Sequence, residues 1–87
     1  MKTYTKKPPK RSKQDEEILL NFATKLRKAR IKTGYSQEEV AHQAGFSRSY
    51  YAEMETGRRN ISLLNLKKLM IALEIEASNL IDSKKDK

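Results

Sequence analysis

The chain reads as a small all-α domain of five helices. Three observations carry that reading. Apolar residues recur at three- and four-residue spacing (Leu19, Phe22, Ala23, Leu26, Ala29), and no stretch alternates as a strand would. Three serines, Ser36, Ser47 and Ser62, each stand between a large apolar residue and the start of an apolar-periodic run. Glycines fall where helices should end, at Gly34, Gly45 and Gly57.

The first helix is expected from about Asp15 to Thr33. Asp15, Glu16 and Glu17 suit the positive end of its dipole, and Gly34 takes the position after its last turn. Ser36 caps the second helix, about Gln37–Ala44, and Glu39 completes a capping box. Ser47 caps the third, about Arg48–Thr56. Ser62 caps the fourth, which carries Leu63, Leu66, Leu69, Met70 and Leu73. A short fifth helix covers about Ala77–Ile81. The residue before each serine pairs with the one four places after it, as Tyr35/Val40, Phe46/Tyr51 and Ile61/Leu66. A hydrophobic residue at those two places staples the chain entry to the first helical turn, so three such pairs in series fix the three helix starts.

Eighty-seven residues allow one domain. There is no cysteine and a single histidine, His42, so disulfides, thiolate metal sites and triad-type catalysis lack their residues. No catalytic, metal or cofactor site is expected, nor a small-molecule ligand. No apolar run approaches the ~20 residues that span a bilayer, and no apolar segment follows the basic N-terminus as a secretory signal would require. A membrane partner is therefore not expected, and the cytoplasm is the simplest compartment.

The net charge is +8, but it is carried by the ends. Residues 1–13 hold six Lys and Arg and no acid; residues 84–87 hold three lysines against Asp86; residues 14–83 hold ten of each sign and cancel. The division is a disordered basic arm (1–13) with Pro8-Pro9, a neutral helical domain (14–83) and a basic tail (84–87). Basic arms attract nucleic acid, and they also simply keep proteins soluble.

The second and third helices meet at Ala44-Gly45-Phe46. Gly45 permits a positive φ there, and the small Ala41 permits a close crossing. That is a helix-turn-helix, whose second helix can enter the major groove of DNA. An ordinary bundle explains Gly45 and Ala41 equally well, but explains the exposed face of the third helix less well. With Tyr51 and Met54 turned inward, that face shows Arg48, Ser49, Ala52 and Glu53, with Tyr50 at its side. Arg48 can bond guanine O6 and N7 together, and Ser49 is a short-range partner. Glu53 can accept from cytosine N4 or stand solvated. Gln37, at a helix N-terminus with free N–H groups, suits a phosphate. Arg58, Arg59 and Asn60 follow the third helix in a loop beside the groove, placed for phosphate or a narrow minor groove. Lys25, Lys28 and Lys32 read as a solvated face.

Residues 22–75, and above all the run S-Q-E-x-x-A-x-x-A-G-x-S followed by E-x-G, resemble the Cro/lambda-repressor-like helix-turn-helix proteins, the XRE family. The resemblance implies a five-helix lambda-repressor-like fold, readout of double-stranded DNA by the third helix, and a homodimer on a two-fold operator. It matches Gln37 to a phosphate-binding position, Arg48, Ser49 and Glu53 to base-reading positions, and Ser47 and Tyr50 to positions that touch the backbone. It matches Arg30 and Glu55 to a structural ion pair between helices 1 and 3. Gly57-Arg58-Arg59-Asn60-Ile61-Ser62-Leu63 followed by Asn65-Leu66 is similar to the restriction–modification controller proteins, small autoregulatory dimers. A phage-type repressor, or an antitoxin or adaptor whose main partner is a protein, is the alternative. Three positions depart from the family pattern: Glu74 stands where Gly is common, Phe46 replaces a smaller aliphatic residue, and the basic arm is long. Leu73, Ile75, Leu80 and Ile81 are more apolar surface than a short fifth helix buries, so they predict a dimer contact or else close the core of the monomer.

Overall fold

The computed structural model describes residues 11–81, and the expectations for residues 1–10 and 82–87 of the arm and tail lie outside them. Five helices follow one another: α1 (Lys13–Thr33), α2 (Gln37–Ala44), α3 (Arg48–Met54), α4 (Leu63–Leu73) and α5 (Ser78–Ile81). Among the described residues there is no strand, and no helix is long and apolar enough to cross a membrane.

The capping serines act as expected. Ser36, Ser47 and Ser62 each accept a hydrogen bond from the backbone N–H three residues on, at 3.1, 3.2 and 3.1 Å. Glu39 returns the bond to the Ser36 N–H at 2.8 Å, and two backbone groups that no helical partner could satisfy are paired reciprocally. The same device starts α1 earlier than expected. Ser12 accepts from Asp15 N at 3.0 Å, and the Asp15 carboxylate accepts from Ser12 N at 3.3 Å. Lys13, expected in the arm, is therefore the first residue of α1. Ser12-Lys13-Gln14-Asp15 carries the spacing of a capping box, and the run of lysines conceals it.

α3 is shorter than expected. It ends at Met54, with Glu55 as its C-cap and Gly57 in the left-handed region at φ 79°. Thr56 lies outside because the helix tightens there: Glu55 N, Thr56 N and Gly57 N donate to carbonyls three residues back, those of Ala52, Glu53 and Met54. Glu74 ends α4 in the left-handed conformation (φ 54°, ψ 47°), with its N–H on the Ile71 and Met70 carbonyls. The α4–α5 turn thus keeps the geometry that a glycine would favour, and a side chain adopts it at a cost of ~1–2 kcal/mol.

The core is one cluster of Phe22, Leu26, Val40, Ala41, Tyr51, Met54, Leu69, Leu73 and Leu80, with Tyr35, Phe46, Ile61, Leu66 and Ile75 packed against it. α2 packs on both α3 and α4, while α1 packs on α5 and α4. Ala41, fully buried, leaves room for α3 to lie close to α2. Two expectations change here. Leu73 and Leu80 are only 3% and 1% exposed within a single chain, so they close the monomer core instead of facing a partner. Lys25 is buried and not part of a solvated face, because it lies on the inward side of α1 between Phe22 and Leu26. Lys28 and Lys32 are exposed.

Candidate nucleic-acid interface

α3 presents its polar face because its other face is anchored. Tyr51 and Met54 are buried at 0% and 1% exposure. Positions three and four apart share a helix face, so Tyr51 and Met54 lie together on the core side while Ser49 and Glu53 lie together on the outward side. Arg48 and Ser49 are exposed in the first turn, directly after the Ser47 cap. Among the described residues neither side chain makes a hydrogen bond or ion pair, so both are free to bond a base edge. Ser47 spends its hydroxyl oxygen on the Tyr50 N–H at 3.2 Å and keeps its own proton to donate.

The remaining candidates are built into networks. Arg30 Nε donates to Glu55 Oε2 at 2.7 Å, Nη2 donates to Oε1 at 3.2 Å, and Nη1 donates to the Tyr35 carbonyl at 3.0 Å. Gln37 Nε2 also donates to Glu55 Oε1, at 3.1 Å. One carboxylate therefore ties α1 and the first turn of α2 to the end of α3, and Arg30 ties in the loop before α2. Gln37 is held at the N-terminus of α2 with its second amide proton unspent, the group a phosphate would meet. Burial opposes the charge on Glu55. Arg30, the neighbouring Tyr51 hydroxyl and Gln37 outweigh it and hold the carboxyl below its ordinary range. Tyr51 responds in the opposite sense: burial first, then the Glu55 carboxylate, push its hydroxyl up.

Tyr50 sits at the side of α3 as a platform. Its hydroxyl accepts from Asn65 Nδ2 at 2.9 Å, which links α3 to α4. The Phe46 ring meets it edge-on, with centroids 5.3 Å apart and planes at 84°. Phe46 is thus accommodated at the rim of the core, against Tyr50 and under the Lys68 ammonium at 5.9 Å, instead of enlarging the core beneath α3. Sequence reasoning missed Asn65, whose role shows only once α4 is seen to pass beside Tyr50.

Arg58, Arg59 and Asn60 leave α3 together and do not act alike. Arg58 is exposed, and its carbonyl accepts from Arg11 Nη2 at 3.4 Å. This brings a third arginine to the loop. Arg59 Nε donates to Glu53 at 2.6 Å, so these two candidates are paired with each other. Asn60 borders an apolar groove with Ile18, Phe22, Ile61, Leu80 and Ile81, on the α1–α5 side of the loop. Of the four apolar residues expected at a dimer contact, Ile81 is 58% exposed and Ile75 is half-buried. Among the described residues, no three of His, Cys, Asp or Glu gather as metal ligands would.

Comparison with known proteins agrees with this geometry. A family model described as helix-turn-helix matches residues 26–80. The chain is 45% identical over 65 residues to the control protein C.MunI of a Mycoplasma species, covering 74% of this chain and 88% of that one. It is 38% identical over 66 residues to the control protein C.BamHI of Bacillus amyloliquefaciens, covering 75% and 82%. The crystal structure of the restriction–modification controller protein C.AhdI from Aeromonas hydrophila superposes with a TM-score of 0.69 at 45% identity, covering 71% of this chain and 94% of that one. The exposed first turn of α3, the match across α2–α5 and these relatives lead to one conclusion: the chain belongs to the helix-turn-helix family of XRE-type DNA-binding transcriptional regulators.

Proposed function

We propose that this chain is the controller of a restriction–modification system, reading a two-fold operator in double-stranded DNA as a homodimer. The observation that carries the reading is the first turn of α3, where Arg48 and Ser49 stand exposed, and unpaired among the described residues, on a helix whose other side is locked into the core. Arg48 supplies the bidentate contact to a guanine and Ser49 a contact beside it. Gln37, Ser47, Arg58 and the edge of Tyr50 meet the phosphates on either side and set the register, while Asn60 meets them from the rim of the loop. The relatives named as control proteins support the subtype.

The dimer uses apolar surface that the monomer leaves open. Leu64 and Ile71 are 70% and 67% exposed and lie seven residues apart on α4, hence on one face. Ile81 extends the apolar surface on α5. A second copy covering these residues makes a self-complementary contact, whose two-fold axis matches that of a two-fold operator.

Selection from a randomised duplex pool at about 150 mM salt tests the proposal, because competing phosphate attraction is screened there and base readout decides what is retained. Enrichment of a two-fold symmetric sequence, found upstream of the protein's own gene and an endonuclease gene, is the expected result. Binding without enrichment overturns it and leaves a protein-interaction module.

A further inference from the structure

Glu53 and Arg59 were each expected to meet DNA separately, one as a base reader and the other as a loop cation. The structure joins them. Arg59 Nε donates to Glu53 Oε1 at 2.6 Å, with the two side chains about half exposed at 50% and 46%. The same guanidinium lies over the Tyr50 ring at 5.3 Å. Tyr50 is itself held by Asn65 at its hydroxyl and by the Phe46 ring set edge-on to it. A guanidinium is planar and rigid, so one carboxylate on Nε and one ring beneath it fix both its direction and its plane. The loop that carries it is also anchored, since Gly57 packs directly on the backbone of α1 at Leu19 and Leu20.

We propose, building on the operator-reading function above and taking Arg59 as a reader of guanine, that Glu53 reads no base itself and is instead a positioning residue that holds the Arg59 guanidinium in its reading orientation. Three arguments support this. First, Nε is the only Arg59 nitrogen engaged by a hydrogen bond among the described residues, so the Nη1–Nη2 edge is unspent. That edge carries two parallel N–H groups, the pattern that matches guanine O6 and N7. Second, Glu53 follows Ser49 by four residues on the outward face of α3, so its partner sits at the far end of the row that Ser49 begins. Third, a bare carboxylate on that face would repel the phosphates on both sides of the groove. Paired with Arg59, it is neutralised and serves as a support. An exposed ion pair contributes little to folding, so stability does not account for the arrangement.

The test compares base preferences, position by position, for the full chain and for Glu53→Ala, Glu53→Gln, Arg59→Ala, Arg48→Ala and the double variant Glu53→Ala/Arg59→Ala. Selection from the randomised pool is followed by titration on the preferred duplex, and circular dichroism checks each fold. Glu53→Ala and Arg59→Ala should relax the same base pair, one that Arg48→Ala leaves alone. The double variant should bind no more weakly than Arg59→Ala, because the two residues act as one unit. Arg59→Ala should lose roughly 10- to 100-fold on the preferred duplex. Glu53→Gln, whose amide oxygen still accepts from Nε, should keep most of the preference. The proposal is overturned if the two alanine variants relax different base pairs with multiplying losses, which would make Glu53 a reader in its own right. It is also overturned if Arg59→Ala weakens all duplexes alike and lowers the salt dependence, which would make Arg59 a phosphate contact. Should the unaltered chain enrich no sequence at all, operator reading itself fails and this proposal falls with it. Enrichment with the wrong pattern among the variants rejects only the proposal.

Discussion

Arg30 and Glu55 form a two-pronged ion pair, Nε to Oε2 at 2.7 Å and Nη2 to Oε1 at 3.2 Å, that joins the last turns of α1 to the C-cap of α3. The Glu55 side chain is 4% exposed and that of Arg30 14%, so the pair is largely withdrawn from water. Removing one partner leaves the other charge buried without compensation, which costs ~3–5 kcal/mol in a fully buried pair. Arg30 keeps some solvent contact, so Arg30→Ala should cost about 3 kcal/mol, near the lower end of that range. Urea unfolding checks this. A loss below about 1 kcal/mol would place the pair with ordinary surface bridges.

The same carboxylate sets an acid limb. Burial works against its charge, but Arg30, Tyr51 and Gln37 prevail and its folded pKa lies below the unfolded value near 4.5. A depressed carboxylate stabilises the fold fully above its unfolded pKa, and that stabilisation fades as pH falls through the folded one. Arg30, raised further by Glu55, stays charged throughout. Glu55→Gln should therefore be less stable than the parent near neutrality, with the two stability curves converging below about pH 4.5. Glu39, also held low by the Ser36 N–H, is present in both proteins and cancels in the difference. Parallel curves down to pH 3 would show that Glu55 carries no such linkage.

Most of the fold was legible because helix starts are written locally. A serine, an acid three residues on and flanking apolar residues need no knowledge of the rest of the chain. The start at Ser12 obeyed the same grammar and was obscured only by the charge around it. The exposure of Arg48 and Ser49 was legible from the inward Tyr51 and Met54, and the Arg30–Glu55 pair through the family pattern. The pairing of Glu53 with Arg59 was not, because it depends on how the chain doubles back after Gly57, six residues later. Leu73 and Leu80 failed for a related reason. Apolar content says that a residue will be covered, but whether its own chain or a second copy does so depends on the packing of α5 against α1.

Glu74 offers a stabilising change. Its left-handed backbone costs a side-chain residue ~1–2 kcal/mol, while glycine adopts it freely and gives back part of the gain through a looser unfolded chain. Glu74 is exposed, and its side chain makes no hydrogen bond or ion pair among the described residues. Glu74→Gly should therefore raise stability by about 0.5–1 kcal/mol, visible as a higher thermal midpoint with unchanged DNA affinity. A lowered midpoint would mean that the Glu74 side chain supports the turn.

Under the proposed function, Arg48→Ala removes a contact made only on DNA. Arg48 has no partner among the described residues, so its loss should leave the unfolding curve in place and weaken binding to the preferred duplex by ~1–3 kcal/mol. The preference should relax at one base pair per half-site. If affinity falls equally for every duplex, Arg48 is a phosphate contact and readout lies elsewhere on α3.

Gly57 and Gly34 both adopt φ near 80°, yet they should respond differently to alanine. A Cβ on Gly34 would meet nothing within 4 Å, so Gly34→Ala carries only the left-handed penalty of ~1–2 kcal/mol. A Cβ on Gly57 would lie 2.9 Å from Leu20 Cδ2 and 3.2 Å from Leu20 Cα. The side-chain atom can swing away, but the Cα belongs to the middle of α1 and cannot. The loop must lift from the helix, and Gly57→Ala should cost about 2–4 kcal/mol. Lifting the loop also displaces Arg58 and Arg59 from the end of α3, so under the proposed function this variant should lose DNA affinity even where it remains folded. Paired unfolding and duplex titrations of the two variants decide the matter. Equal losses of stability would mean that conformation alone explains both glycines. A greater loss for Gly57→Ala, with weakened binding, would show that contact with α1 holds the cationic loop in place.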